Sequence, residues 1–247
     1  MSDTREIPFF KAVNEAIELE MEHDETVLSI GLGHNDPKRI FGTTEKLLEK
    51  FGPDRALEMP ISENAMTGIC VGLASQGYKP ILTHQRVDFA LLSIDQIVNS
   101  AAKWSFMFAL ERGIPMVIRM IIGRGWGQGP THSQSLQSWF AHIPGLKVVM
   151  PSSPSNAKGL LAASIQDPNP VIFLEHRWLH NIDGIVPKKR YFDDLDGTHV
   201  IRKGSDFTVV ASSIMVTEAL KASPHLSSNG VELELIEVTS LRPLNIT

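Results

Sequence analysis

The chain has 247 residues, 43% hydrophobic and 21% charged, with 23 Lys plus Arg against 28 Asp plus Glu for a formal net charge of -5. This is a globular composition, long enough for a sizeable core in one large domain or in a domain plus part of another, and it excludes disorder and a disulfide scaffold. A weakly acidic chain without a Lys/Arg run has no electrostatic basis for sequence-independent binding to nucleic acid or to an anionic membrane.

Residues 7–22 place Phe9, Phe10, Val13, Ala16, Ile17 and Leu19 on one helical face, and 26–30 reads as a strand running into a Gly31-Leu-Gly-His-Asn-Asp-Pro turn. A helix at 44–51, a short run at 56–59, a helix at 63–76 and a strand at 80–83 follow. Next come a long helix at 93–111, a strand at 115–122, a Gly-rich loop, a strand at 146–150, a helix at 154–166 and a strand at 170–175. This alternation predicts an α/β fold with a mostly parallel sheet covered by helices on both faces. Ala101, Ala102, Phe106, Met107 and Phe108 make helix 93–111 apolar enough for a subunit interface or for the domain's own core. Residues 181–204 lose the apolar periodicity and carry Gly, Pro and charge, which marks a linker after a first domain of 1–180. A strand at 206–211, a helix at 213–222 and a strand at 231–238 open a second α/β unit, 205–247, short enough to suggest truncation or dependence on a partner.

Few motifs survive scrutiny of their spacing. Gly31-x-Gly33 has Asp36 where GxGxxG needs glycine, and Gly123, Gly125, Gly127 and Gly129 recur at every second residue, so neither loop is a dinucleotide or P-loop fingerprint. The second loop still follows a strand, where parallel sheets bind ligands, and it carries His132. His132 has a better claim to a ligand than His142, which stands beside Pro144-Gly in a turn. Glu175, His176 and His180 are spaced like helical ligands, but the order is not HExxH and Val171-Ile-Phe-Leu reads as a strand, so a metal is not expected there. The lone cysteine, Cys70, lies in an apolar stretch and reads as a small buried hydrophobe. No Gly-x-Ser-x-Gly elbow occurs. The N-terminus lacks an apolar signal segment, so a cytoplasmic location is expected. In Pro60-Ile-Ser-Glu63, Ser62 is placed to cap the helix that Glu63 begins, and Gly68 and Gly72 permit close backbone approach. Glu63 reads either as a solvated first-turn carboxylate or as a catalytic carboxylate at the rim of a packed interface.

Several blocks taken together are more specific. Pro60-Ile-Ser-Glu63-Asn-Ala-Met-Thr-Gly-Ile, Phe89 to Ile97, Val98-Asn-Ser-Ala-Ala-Lys103, His132-Ser-Gln-Ser, His142 to Pro151 and Leu241-Arg-Pro-Leu-Asn245 occur in that order. The chain so resembles, over about residues 5 to 245, the β subunit of the E1 component of thiamine-diphosphate-dependent 2-oxoacid dehydrogenases. The resemblance implies a thiamine-diphosphate-binding fold, with a transketolase-like pyrimidine-binding domain followed by an incomplete transketolase C-terminal-type α/β domain. It implies that Glu63 hydrogen-bonds N1' of the cofactor aminopyrimidine, that Phe89 stacks on that ring, and that His132 handles protons beside the reacting carbon. Asp167 and Asn169 match a loop that holds a structural monovalent cation, K⁺, in some members, although Asp-Pro-Asn-Pro is also a good turn.

The same family holds the diphosphate and Mg²⁺ with Gly-Asp-Gly and a downstream Asn, and no Gly-Asp-Gly occurs here. An α-type subunit is therefore expected to supply them in an α₂β₂ heterotetramer, with a lipoyl-bearing acyltransferase as a further partner. Thr83-His84-Gln85-Arg86 departs from the family pattern, and Arg86 and Arg124 can pair with a substrate carboxylate or phosphate. The leading expectation is a β-type subunit of an enzyme that decarboxylates a 2-oxoacid and transfers the acyl or aldehyde unit. Half of a split transketolase acting on sugar phosphates, and a non-catalytic scaffold, are the alternatives.

Overall fold

The central strands are apolar on both faces, so each needs helices above and below it. The computed structural model describes residues 3–245. Strand β1 (Thr4–Pro8) and helix α1 (Phe9–His23) precede β2 (Val27–Gly31), α2 (Leu47–Phe51), β3 (Ala56–Glu58), α3 (Glu63–Ser75), β4 (Lys79–His84) and α4 (Val87–Ala90). Then come α5 (Trp104–Met107), β5 (Val117–Ile122), α6 (Gln137–His142), β6 (Lys147–Val149), α7 (Pro154–Gln166), β7 (Val171–His176) and β8 (Asp183–Pro187). The chain ends with β9 (Thr198–Arg202), β10 (Phe207–Ala211), α8 (Ile214–Ser228), β11 (Leu233–Val238) and β12 (Ser240–Arg242). The main sheet runs β12-β6-β7-β5-β4-β2-β3, with every pair parallel except β12 against β6.

Side-chain alternation along the strands splits the core in two. Ile30, Leu82, Ile118 and Ile172 point to the side covered by Cys70, Val71 and Ala74 of α3. Val27, Ile81, Val117 and Val171 point to the other, against Phe9, Val13 and Ile17 of α1 and Leu161 and Ile165 of α7. Cys70 is buried as expected, and burial pushes its thiol up to about 12, which leaves it unreactive. α7 starts with Pro154 in its first turn and a capping box between Ser153 and Asn156. α3 differs from expectation, because the Ser62 side chain makes no cap hydrogen bond.

Two other expectations are corrected. Residues 93–111 are not one helix: a π-helical turn at Gln96–Ala101 is followed only by the four-residue α5. A helix draws most of its stability from burying one face. Here Phe106 is 90% exposed, with Met107 and Phe108 also exposed, and past Ala102 only Trp104 and Leu110 touch the core, so little burial rewards regularity beyond the π turn. Residues 181–204 are not a plain linker, since β8 pairs antiparallel with β1 and β9 pairs antiparallel with β11. Both strands bury only one residue or none, so they carry no apolar alternation to read.

The C-terminal part is a three-stranded sheet, β10-β11-β9, with α8 packing Val216 against Ala211 and Leu235. It is tied back to the first sheet. Met150 N–H donates to Thr239 C=O at 2.8 Å, and buried Glu237 accepts from Ser152 Oγ and, at 3.1 Å, from Asn156 Nδ2. No helix among the described residues is long and apolar enough to cross a membrane.

Candidate active site

The carboxyl ends of β2, β4, β5 and β7 and the segments that follow them converge at one end of the sheet, where parallel α/β proteins bind ligands. Leu32, Met59, Glu63, Thr83, His84, Gln85 and Phe89 line a narrow cleft there. Glu63, the first residue of α3, is 8% exposed. Its carboxylate makes no hydrogen bond or ion pair among the described residues. His84 lies in the same cleft with its Nε2 buried and unpartnered. Burial lowers its pKa to about 4, so it is neutral at physiological pH. Gln85 Nε2 donates to Leu32 C=O at 2.9 Å, which ties the segment after β4 to the loop after β2.

The structure brings His132 to this cleft. Its ring meets Phe89 edge to face, 5.2 Å between centroids and 89° between planes. Thr131 Oγ1 lies 3.2 Å from His132 Nδ1, while Nε2 has no hydrogen bond among the described residues. The Gly-rich loop is held in place: Gln134 Nε2 donates to Asp88 Oδ1 at 2.7 Å, and Trp126 Nε1 donates to His132 C=O at 3.1 Å. Gly123 and Gly125 have φ values of +107° and +101°, and a Cβ at each would sit 2.4 Å from His176 and 2.3 Å from Trp178. The glycines let this loop lie flat against β7's extension. His142, by contrast, ends α6 and lines a separate apolar hollow with Ile94, Val98 and Trp139.

Glu175 and His180 belong to a buried polar network. Arg119 Nε and Nη2 donate to Glu175 Oε1 and Oε2 at 2.7 and 3.1 Å, Arg119 Nη1 donates to Thr83 Oγ1 at 3.2 Å, and His180 Nε2 lies 3.2 Å from Glu175 Oε2. All three ionisable groups are fully buried. Burial works against the Glu175 charge, but Arg119 and His180 together hold its pKa down at about 2. His176 is a cap, accepting from Trp178 N–H at 3.2 Å through Nδ1. Its spacing with His180 therefore reflects a strand end and a turn. Among the described residues, no three His, Cys, Asp or Glu side chains gather as metal ligands.

Asp167 and Asn169 come together as a turn in which Asn169 N–H and Nδ2 donate to Asp167 Oδ1 at 2.9 and 3.1 Å. Lys147 Nζ bonds the other carboxylate oxygen, so an ammonium stands beside this carboxylate.

Arg86 and Arg124 are separated. Arg124 is exposed and lines a cavity of about 1000 Å³ with Met150, Val210 and Ser213. Arg86 shares its cavity instead with Arg177, which sequence reasoning missed although it lies one residue beyond β7, at the same carboxyl end as the other site residues.

Residues 5–181 match the transketolase pyrimidine-binding domain and residues 196–247 the transketolase C-terminal domain. A β subunit of acetoin:2,6-dichlorophenolindophenol oxidoreductase from Cupriavidus necator is 38% identical, covering 98% of this chain and 74% of that protein. A mitochondrial pyruvate dehydrogenase E1 component subunit beta-2 from Oryza sativa subsp. japonica is also 38% identical, over 98% of this chain and 65% of its own length. The chain belongs to the E1 β-subunit family. Like other members it carries the transketolase-like α/β fold. A split-gene transketolase in an inactive β4 tetramer superposes with a TM-score of 0.76 at 19% identity, covering 95% of this chain and 72% of that one. A Leishmania mexicana transketolase gives 0.71 at 18% identity, over 95% of this chain and 34% of its own. These two matches speak to the fold alone.

The lining offers an aromatic ring and a carboxylate without a protein partner in one cleft, the groups that the ring and nitrogens of an aminopyrimidine would need.

Proposed function

We propose that this chain is the β-type half of a thiamine-diphosphate-dependent enzyme that decarboxylates a 2-oxoacid and passes on the acyl or aldehyde unit. The observation that carries the reading is the Glu63 carboxylate, free of protein partners on a residue only 8% exposed, in one cleft with Phe89, whose ring meets His132. When bound, the cofactor supplies a thiazolium carbon that, once deprotonated, adds to the substrate carbonyl. Glu63 holds the proton at pyrimidine N1', a task for a carboxylate that no protein cation neutralises. Phe89 stacks on the ring and excludes water from one face of it. His132 Nε2, with its Nδ1 engaged by Thr131, is positioned to give or take a proton at the substrate oxygen.

The diphosphate and Mg²⁺ are assigned to an α-type partner carrying Gly-Asp-Gly, in an α₂β₂ assembly, because this chain has no such motif. The exposed Phe106, Met107 and Phe108 are apolar surface of the kind a subunit interface covers. A lipoyl-bearing acyltransferase is the acceptor-side partner of this reading. A K⁺ at Asp167 and Asn169 would have to displace the Lys147 ammonium. Sugar-phosphate transfer is the weaker reading, since it rests on structures 18–19% identical.

Calorimetry of thiamine diphosphate with Mg²⁺ tests the proposal. Binding only by the mixture of this chain with its Gly-Asp-Gly partner is expected. A folded, associated mixture that binds no cofactor would favour the scaffold reading.

A further inference from the structure

Arg86 and Arg177 line a cavity of about 440 Å³ together with Phe41, Trp126, Gln128, Trp178 and Asn181. Neither arginine is ion-paired among the described residues. Arg86 is 6% exposed, and its hydrogen bonds go to neutral oxygens: Nη1 to Gln85 C=O at 3.0 Å and Nη2 to Gln128 Oε1 at 2.7 Å. Its Nε is buried without any partner. The guanidinium lies over two rings, 5.1 Å from the Phe41 centroid and 4.8 Å from that of Trp126. The Arg177 guanidinium lies 4.6 Å from the Phe41 centroid and makes no hydrogen bond among the described residues. The neighbouring carboxylate, Asp88, accepts from Gln134 instead.

Two guanidiniums at one wall repel each other, and burial penalises both charges. Ring faces offset part of that cost, and a carboxylate in the wall would offset far more. The pocket contains none among its lining residues. Both guanidinium charges are thus unmet by the protein, and a guanidinium is the group suited to pair with a planar or tetrahedral oxyanion. The position also fits, because Trp126 packs on Arg86 while its indole bonds the His132 backbone, and His132 in turn meets Phe89.

We infer that the Arg86–Arg177 pocket binds a compact oxyanion, a carboxylate or phosphate carried by the substrate at the end remote from its reacting carbonyl. The oxyanion site stands on its own geometry, and its assignment to the substrate rests on the proposed 2-oxoacid chemistry. Pyruvate carries no second anionic group, so the pocket points to a dianionic substrate.

The test uses the full chain without cofactor, titrated by calorimetry with malonate and, separately, with inorganic phosphate, each against chloride at matched ionic strength. Saturable binding of at least one probe is expected, weakened at least tenfold by Arg177→Gln and abolished by Arg86→Gln. Tighter malonate binding would assign the group as a carboxylate, and tighter phosphate binding as a phosphate ester. Should Arg86→Gln fail to fold, the less buried Arg177→Gln decides, with Arg177→Lys expected to fall between it and the unmodified chain. No saturable binding of either probe, or equal binding by the Arg177→Gln chain, would overturn the inference. Anion binding that survives alongside an uninvolved Glu63 would remove the decarboxylase reading and leave the pocket standing.

Discussion

Two clusters at the same end of the sheet use the same residue types to opposite ends. Around Glu175, a fully buried carboxylate accepts two hydrogen bonds from Arg119 and meets His180, also fully buried, at 3.2 Å. Around Glu63, a carboxylate and two histidines stand near an aromatic ring with few protein partners. Thr83 touches both, since its hydroxyl accepts from Arg119 while the residue also lines the Glu63 cleft. The paired Arg119 and Glu175 charges fix the strand ends, and the unpaired Glu63 carboxylate is left with bonding capacity for something else. The chemistry of this protein is therefore to be sought where the hydrogen bonds are missing.

The largest effect separating the clusters is on stability. Arg119→Ala is expected to cost about 3–5 kcal/mol in urea denaturation, because it leaves the Glu175 charge buried without compensation. Arg119→Met combined with Glu175→Leu is expected to recover most of that loss. If Arg119→Ala unfolds no more easily than the unmodified chain, the network is not structural.

A second difference lies in pH. His34 and His84 are buried and neutral, with pKa values lowered from 6.5 to about 4, both chiefly by burial and His34 also by the nearby Arg119 and Arg39. The unfolded chain takes up these protons at higher pH than the folded one, so stability is full above 6.5 and falls as pH drops toward 4. Each histidine contributes on the order of 1–3 kcal/mol. Glu175, lowered from 4.5 to about 2, extends the loss below pH 4.5. Thermal melts are expected to show the decline beginning below pH 6.5. In His84→Phe the decline is expected to be shallower, and an identical profile in that variant would contradict the assignment.

Smaller effects probe the rims. Phe89→Leu keeps an apolar side chain but loses the ring face, and is expected to weaken cofactor binding in the complex about 2- to 10-fold, with an unchanged urea midpoint. Lys147→Met is expected to cost at most about 1 kcal/mol, the worth of a partly exposed ion pair. If K⁺ then stabilises the variant more than Na⁺ does, Asp167 and Asn169 form the cation loop that the resemblance implies.

Much of this was legible in the sequence, for identifiable reasons. Strands β4, β5 and β7 are apolar runs bounded by turns, and α7 announces itself with Ser153 and Pro154. β8 and β9 were not legible, because edge strands with exposed faces carry no alternation. The break in 93–111 escaped for the converse reason: its apolar residues have the composition of a buried helix but remain exposed. Glu63 and His132 stood out by their places at a helix start and in a Gly-rich loop, Phe89 entered only through a family block, and the three lie near one another. The Arg177 partnership with Arg86 depends on three segments, at Phe41, Arg86 and Arg177, that meet only in space. Arg124 looked equivalent to Arg86 in sequence, and the Gly-rich loop carries it to a different cavity.

The most direct test of the central claim is deuterium exchange at the thiazolium carbon of bound cofactor, followed by NMR in the complex with the Gly-Asp-Gly partner. Glu63→Gln is nearly isosteric and is expected to fold, bind and assemble normally while slowing exchange about 10²- to 10⁴-fold, the range of a lost general acid–base group. Exchange at the unmodified rate in that variant would contradict the account, leaving the unpartnered carboxylate without its role.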